Sequence, residues 1–179
     1  MDEPGPPSPF FVAHLEDLRD AVRLGPILDV ACGRGRHALA AGRQGLPLIG
    51  IDRNPSFLAE LHGRARAERL PVRTVRADLE TGHGLPLASG AFGAVLVFRY
   101  LHRPLVPALV EALRPGGLLL YETFTIHQKK LGQHPTNPDF LLRDGELPAL
   151  FGALQLIEHW QGEIGGERPT ALARLAARR

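Results

Sequence analysis

The chain has 179 residues, a length that fits one globular domain with a real hydrophobic core. Its 21 basic side chains nearly balance 19 acidic ones, and a net charge of +2 gives no reason to expect a polyanionic partner. The single cysteine, Cys32, excludes an intramolecular disulfide and any multi-cysteine metal site, so we predict no metal.

The N-terminal segment MDEPGPPSPF combines acidic residues with four prolines. We predict that residues 1–9 are a disordered arm, because Pro and Gly there build neither helix nor strand, and that residues 10–179 form one domain. A secretory leader would need a basic and then an apolar stretch, and no apolar run is long enough to cross a bilayer. We therefore expect a cytoplasmic protein, a monomer or homodimer, without membrane contact.

The chain then alternates between short apolar runs and segments with helical periodicity. Helices are predicted at 10–24, 35–43, 55–70 (with Asn54 as its cap), 104–113 and 144–151. Strands are predicted at 27–31, 47–51, 72–77, 91–98, 118–123, 156–163 and 171–177. This alternation predicts a parallel, doubly wound sheet, whose ligands bind outside the carboxyl ends of the strands.

A glycine turn follows the first predicted strand and opens a helix. In the run Ala31-Cys32-Gly33-Arg34-Gly35, the two glycines let the backbone approach a ligand, and the helix N-terminus offers amide donors to an anion. The spacing of Gly33, Gly35 and Ala38 also satisfies the looser dinucleotide fingerprint. The turn therefore predicts a cofactor site but leaves its class open.

Carboxylates at three consecutive strands favour one cofactor class. Asp29 lies inside the first strand, where it either supports the turn or reaches an ammonium group. Asp52 closes the second strand, where it suits ribose hydroxyls, and Asp78 follows the third, where it can accept from an adenine amino group. This arrangement favours a nucleoside with a cationic sulfonium over a pyrophosphate.

These blocks resemble the class I methyltransferase family, which uses S-adenosylmethionine and releases S-adenosylhomocysteine. The Asp-x-x-Cys-Gly-x-Gly run, Asp52, Ala77-Asp78-Leu79 and the turn at 113–117 stand in the family's order. The resemblance implies a three-layer α/β sandwich around a Rossmann-like, mostly parallel seven-stranded sheet with an antiparallel last strand. The turn at 32–37 and the block 99–103 also resemble small bacterial members grouped with tellurite-resistance enzymes.

The resemblance also implies roles for individual residues. The backbone of Gly33 and Gly35 approaches the cofactor's amino-acid moiety, and the Arg36 guanidinium pairs with its carboxylate. Asp52 takes the ribose and Asp78 the adenine. The full predicted cofactor set is Asp29, Ala31, Cys32, Gly33, Gly35, Arg36, His37, Asp52, Arg53, Asp78, Leu79, Phe98 and Arg99.

The acceptor is expected beside the block that follows the fourth strand. Arg99, Tyr100 and His102 are the predicted catalytic residues, since they can steer an anionic or thiol acceptor or remove its proton. Arg99 has the alternative of a structural ion pair with Glu122 or Asp78, and His102 that of simply beginning a helix. No Asn-Pro-Pro-Tyr tetrad stands here, which argues against exocyclic base amines as acceptors.

The sequence thus predicts in-line methyl transfer to a small soluble acceptor, such as a thiol or another soft nucleophile. The loop at 131–142 is long enough to act as a lid. The alternatives are an RNA or protein acceptor, an NAD(P)-binding oxidoreductase and a non-catalytic cofactor-binding module. Nucleic acid is disfavoured because no aromatic residues separate the arginines at 64–76.

Overall fold

The computed structural model describes residues 4–179, and seven strands in this part of the chain pair into one sheet. In chain order the strands are β1 (Ile27–Val30), β2 (Leu48–Asp52), β3 (Val72–Arg76), β4 (Phe92–Phe98), β5 (Leu113–Phe124), β6 (Gln155–Ile164) and β7 (Thr170–Arg178). The helices are α1 (Pro9–Ala13), α2 (Leu15–Ala21), α3 (Arg36–Arg43), α4 (Pro55–Ala67), α5 (Val106–Ala112), α6 (His127–Lys130) and α7 (Glu146–Leu150), with 3-10 turns at Arg103–Leu105 and Pro138–Phe140.

The sheet has the order β3-β2-β1-β4-β5-β7-β6. Strands β1 to β5 pair in parallel, and β7 runs antiparallel to both β5 and β6. The predicted fold class, a mostly parallel seven-stranded sheet with an antiparallel last strand, is confirmed. The winding reverses at β1, between β2 and β4, which is where such sheets place their ligands.

Both faces of the central strands are covered by helices. Every residue of β1 and β4 is buried, because alternate side chains enter two separate cores. One core packs α1 to α4 against the sheet, and the other packs α5 and α7 against the opposite face. Helix α4 begins where predicted, since the Asn54 side chain accepts hydrogen bonds from the amides of Ser56 and Phe57.

Two predicted elements differ in the structure. The helix predicted at 10–24 is broken at His14, whose backbone leaves the helical region and whose Nδ1 lies 3.0 Å from the Phe10 carbonyl oxygen. The strand predicted at 118–123 begins earlier, at Leu113. The predicted turn after Leu113 is instead an irregularity inside β5, where the register with β4 jumps from Leu113 to Leu118.

The disordered arm predicted at 1–9 is wrong for its last residues. Pro9 already belongs to α1, and Ser8 is buried. The Ser8 amide donates to His37 Nε2 at 3.2 Å, and the Ser8 hydroxyl donates to Glu122 Oε2 at 2.9 Å. Residues 1–3 lie outside the described residues. The proline composition predicted an absence of regular structure there but carried no information on these tertiary hydrogen bonds.

No helix found between residues 4 and 179 is both long and apolar enough to cross a bilayer.

A glycine in β4 lets α2 approach the sheet, and its replacement tests this packing. A Cβ on Gly93 would lie 2.0 Å from the Ala21 carbonyl oxygen and 2.5 Å from that of Gly25. We expect Gly93→Ala to lower the free energy of unfolding by at least about 1–3 kcal/mol, because backbone must move. The matched control is Gly63→Ala, since a Cβ on Gly63 in α4 has open space.

Because alanine favours an exposed helix interior, Gly63→Ala should raise the free energy of unfolding by about 0.5–1 kcal/mol. Urea unfolding of both variants measures these changes. Equal stability of the Gly93 variant and the wild-type protein would contradict the close approach of α2.

Candidate functional site

The carboxyl ends of five parallel strands form one edge of the sheet. Across this edge, the order of the strands brings Asp78 (after β3), Asp52 (β2), Ala31 (β1), Arg99 (β4) and Phe124 (β5) side by side. The carboxylates therefore occupy one side of the reversal point, and a guanidinium and an aromatic ring occupy the other.

Two cavities open along this edge. The strand-end cavity, of about 420 Å³, surrounds Asp52 and Asp78, and the glycine-turn cavity, of about 380 Å³, surrounds the turn at 31–35. Ala31 and Arg99 line both. All thirteen residues of the predicted cofactor set line one cavity or the other: Asp29, Ala31, Cys32, Gly33, Gly35, Arg36, His37, Asp52, Arg53, Asp78, Leu79, Phe98 and Arg99.

The glycine turn is held to the neighbouring strand by Asp52. One carboxylate oxygen of Asp52 accepts the Gly33 amide at 2.8 Å, and the other accepts the Asn54 amide at 2.8 Å. Gly35 has a φ of +80°, and a Cβ there would lie 2.4 Å from a methyl carbon of Leu61. The turn therefore requires glycine at this position, and it also holds the Asp52 carboxylate beside the cavity.

Asp29 is a buried carboxyl under the turn. Burial, with a smaller contribution from Asp52, raises its pKa from 3.8 to about 7, although the Arg36 guanidinium opposes the shift. Its Oδ2 atom has no hydrogen-bond partner among the described residues. An orphaned carboxyl oxygen beside a glycine turn fits an ammonium-bearing ligand, so these residues suit the amino-acid end of a sulfonium cofactor.

His37 is buried against the same cavity in its neutral form. Burial, together with the nearby Arg36 and Arg99, lowers its pKa to about 3. The ring packs on Phe98 with 3.9 Å between centroids, and its Nε2 accepts the Ser8 amide. The side chain therefore anchors the N-terminal segment across the end of β4.

Arg99 follows β4 in a left-handed conformation, with a φ of +57°. Such a backbone is strained for a residue with a Cβ, and the Arg99 amide donates to the Glu122 carbonyl oxygen at 2.7 Å, which holds it in place. The alternative of an ion pair with Glu122 or Asp78 is wrong. Glu122 pairs with Arg174 at 2.7 Å, and the Arg99 guanidinium instead lies 5.7 Å from the Phe124 ring centroid.

The other two predicted catalytic residues, Tyr100 and His102, lie in different places. Tyr100 lines the strand-end cavity, where burial and the nearby Glu80 and Asp78 raise its pKa above the usual range, which argues against its role as a base. His102 lines neither cavity and precedes the 3-10 turn at Arg103–Leu105. Sequence proximity to Arg99 therefore did not bring these three side chains to one place.

Several residues at the site were not predicted from the sequence. Pro4 and Gly5 line the glycine-turn cavity, and Phe124, Pro135 and Phe140 line the strand-end cavity. Phe124 ends β5, and its position at the end of an apolar strand is the same signal that located Asp52 and Asp78. Pro135 and Phe140 belong to the loop predicted as a lid, and Pro4 and Gly5 belong to the proline-rich N-terminal segment, so the sequence did not show that these four residues line the cavities.

Within residues 4–179, no group of three or more His, Cys, Asp or Glu side chains is arranged to hold a metal ion.

The raised pKa of Asp29 predicts a pH dependence of stability. The folded protein holds this proton more tightly than the unfolded chain, so the stabilisation is fully present below about pH 4 and is lost as the pH rises through about 7. We expect the free energy of unfolding of wild type to fall relative to that of Asp29→Asn across this window, by at most about 1.4 kcal/mol per pH unit. Urea unfolding of both proteins from pH 4 to 8 measures the difference, and parallel curves would contradict the shifted pKa.

Comparisons with known proteins agree with this geometry. The chain is 36% identical over 127 residues to a tRNA U34 carboxymethyltransferase of Cellvibrio japonicus, an alignment covering 65% of this chain and 37% of that relative. A methyltransferase called YodH in Bacillus subtilis is 33% identical over 99 residues, 53% of this chain and 41% of the relative. The chain thus spans about two fifths of the length of these relatives.

Solved structures share the fold over nearly the whole chain. A SAM-dependent methyltransferase from Methanosarcina mazei superposes with a TM-score of 0.74 at 15% identity, covering 98% of this chain and 99% of the other. TehB from Haemophilus influenzae gives 0.71 at 20% identity, with coverage of 92% and 62%.

A family model described as a methyltransferase domain matches residues 27–117, just over half of the chain. This segment contains β1 to β4, the glycine turn and all three strand-end carboxylates. The match decides between the two cofactor classes that the glycine spacing left open, and the chain belongs to the class I methyltransferase family, whose cofactor is S-adenosylmethionine.

Proposed function

We propose that this protein transfers the methyl group of S-adenosylmethionine to a small acceptor molecule. The observation that carries the proposal is the meeting of the two cavities at Ala31 and Arg99. A cofactor spanning both cavities would place its nucleoside beside Asp52 and Asp78. Its reactive centre would then lie at the shared border.

The residues of the glycine-turn cavity suit the amino-acid end of the cofactor. Asp29 offers an unpartnered carboxyl oxygen to an ammonium, and Arg36, at the start of α3, offers a guanidinium to a carboxylate. The pKa of Asp29 lies near neutrality, so an adjacent ammonium would favour its ionised form. The site would thus gain its opposite charge when the cofactor binds.

When bound, the cofactor supplies a methyl group that its sulfonium already makes electrophilic. The protein's task is therefore to align the acceptor and exclude water. Tyr100 keeps its proton, and the His37 ring is occupied by Phe98 and Ser8, so neither suits the role of a base. An acceptor that arrives ionised, such as a thiolate, fits this site best.

The wall over the strand-end cavity favours a small acceptor. Its loop, 131–142, is held by Arg103, whose guanidinium donates to the Asp139 and Leu141 carbonyl oxygens at 2.9 and 3.0 Å. The same guanidinium pairs with Glu146 at 2.6 Å. A tethered loop bearing Pro135 and Phe140 closes the cavity on one side and is the candidate lid.

Replacement of Asp52 tests cofactor binding. Its carboxylate supports the glycine turn and faces the strand-end cavity, so we expect Asp52→Ala to weaken S-adenosylhomocysteine binding by about tenfold to a hundredfold. The matched control is Asp20→Ala, which removes an exposed carboxylate that pairs only weakly with Arg23 at 3.4 Å. Isothermal titration calorimetry measures both affinities.

The same titration with NADH separates the cofactor classes. Binding of NADH without binding of S-adenosylhomocysteine would refute the proposed function. Transfer of labelled methyl groups from S-adenosylmethionine into a cell extract distinguishes an enzyme from a non-catalytic binding module.

An RNA acceptor is the second candidate, because the relative in Cellvibrio japonicus is a tRNA U34 carboxymethyltransferase. Four exposed arginines would serve such a role, and one of them, Arg76, lies beside Ala77 and Asp78 at the end of β3. The four arginines lie on α4, on β3 and in the connection between them: Arg66, Arg69, Arg73 and Arg76. Their charges would attract any polyanion, so specific binding requires a direct measurement.

Electrophoretic mobility shift with bulk tRNA at moderate salt makes this measurement. For a small-molecule enzyme we expect no retained complex, since the net charge of +2 provides little non-specific attraction. A tight complex that Arg73→Gln and Arg76→Gln weaken would make RNA, rather than a small molecule, the proposed acceptor.

A further inference from the structure

The two halves of the strand-end cavity differ in charge. Asp52 and Asp78 lie at the ends of β2 and β3, whereas Arg99 and Phe124 lie at the ends of β4 and β5. Neighbouring strands are about 4.8 Å apart, so about two strand spacings separate Asp52 from Arg99 and about three separate Asp78 from it. A nucleoside held by the carboxylates therefore leaves the β4–β5 half for the acceptor.

Three of the arginines that line the two cavities already face acidic groups. Arg34 pairs with Glu60, and Arg53 lies 3.4 Å from Glu80. Arg36 lies in the field of Glu122 and Asp29. These side chains have their charges balanced within the protein or, for Arg36, are placed to meet the cofactor's carboxylate.

Arg99 is different. Among the described residues, no carboxylate lies within ion-pair distance of its guanidinium, which contacts the face of Phe124. The acidic side chain closest along the sheet, Glu122, is buried and shared between Arg174 at 2.7 Å and the Ser8 hydroxyl at 2.9 Å. This half of the site is therefore positive and lacks its counter-charge.

Aromatic surface stands beside this guanidinium. Phe124 forms one wall, and Phe140 lines the same cavity with 47% of its surface exposed. The Arg103 hydrogen bonds to the Asp139 and Leu141 carbonyl oxygens hold the backbone on either side of Phe140. A ring held open to solvent in the cavity that also contains a guanidinium fits a ligand that has both an apolar body and an anionic group.

We propose that the methyl acceptor is an organic anion with an apolar body, bound by the Arg99 guanidinium between Phe124 and Phe140. This inference rests on the proposed methyltransferase function and names the acceptor class of the same site. Arg99 is here a specificity-determining residue, and its strained backbone directs the side chain from the end of β4 into both cavities.

The test uses the protein saturated with S-adenosylhomocysteine and three probes measured by NMR titration. Benzoate carries both features, benzamide lacks the charge and acetate lacks the apolar body. We expect benzoate to bind at least about tenfold more tightly than either, because a charge-assisted hydrogen bond to arginine exceeds a neutral one. Arg99→Met should remove the preference for benzoate over benzamide, and Arg99→Lys should keep part of it.

The matched control is Arg143→Met, since Arg143 is exposed and lines neither cavity. It should bind all three probes as wild type does. If wild type binds benzoate and benzamide equally, the inference is wrong, whether or not the Arg99 variants fold.

Affinity for S-adenosylhomocysteine separates this inference from the proposed function. We expect Arg36→Met to weaken cofactor binding more than Arg99→Met does, because Arg36 lies only in the glycine-turn cavity, whereas Arg99 also lines the acceptor half of the strand-end cavity. A large loss in Arg99→Met would assign the guanidinium to the cofactor and overturn the inference alone. Failure of wild type to bind S-adenosylhomocysteine would overturn both.

Discussion

Strand β1 pairs in parallel with β2 on one side and with β4 on the other, and every group at the site depends on this pairing. Parallel strands end at the same edge, so Ala31, Asp52 and Arg99 are neighbours although 21 to 68 residues separate them in the chain. The Gly33 amide then joins the turn after β1 to the Asp52 carboxylate at the end of β2. One backbone arrangement thus shapes the candidate cofactor site and orients the Asp52 carboxylate.

Burial, as well as residue type, decides which groups at the site carry a charge. Asp29 is deep enough for its pKa to rise to about 7, and His37 is held neutral beside two arginines. Glu122 is balanced by Arg174, which leaves the β4–β5 side with unbalanced positive charge. The opposite charges of the two halves support the proposal that a nucleoside binds on one side and an anionic acceptor on the other.

Local signals in the sequence were sufficient where a functional side chain lies directly at the end of a predicted strand. Asp52 and Asp78 follow apolar strands, so a strand prediction also locates their carboxylates. Such signals failed for Ser8, whose partners His37 and Glu122 are distant in the chain. They did not single out Phe140 within the loop predicted as a lid, and they grouped His102 with Arg99 although the structure places His102 outside both cavities.

The sequence by itself determined the order of the seven strands, the glycine turn and the carboxylates at the strand ends, because periodicity and residue type are properties of short segments. Only the tertiary structure decided which side chains meet. In the tertiary structure the two cavities meet at Ala31 and Arg99, and Glu122 forms an ion pair with Arg174 rather than with Arg99. The N-terminal segment lies over the glycine turn. These outcomes depend on packing between elements far apart in the chain, and no local pattern encodes such distances.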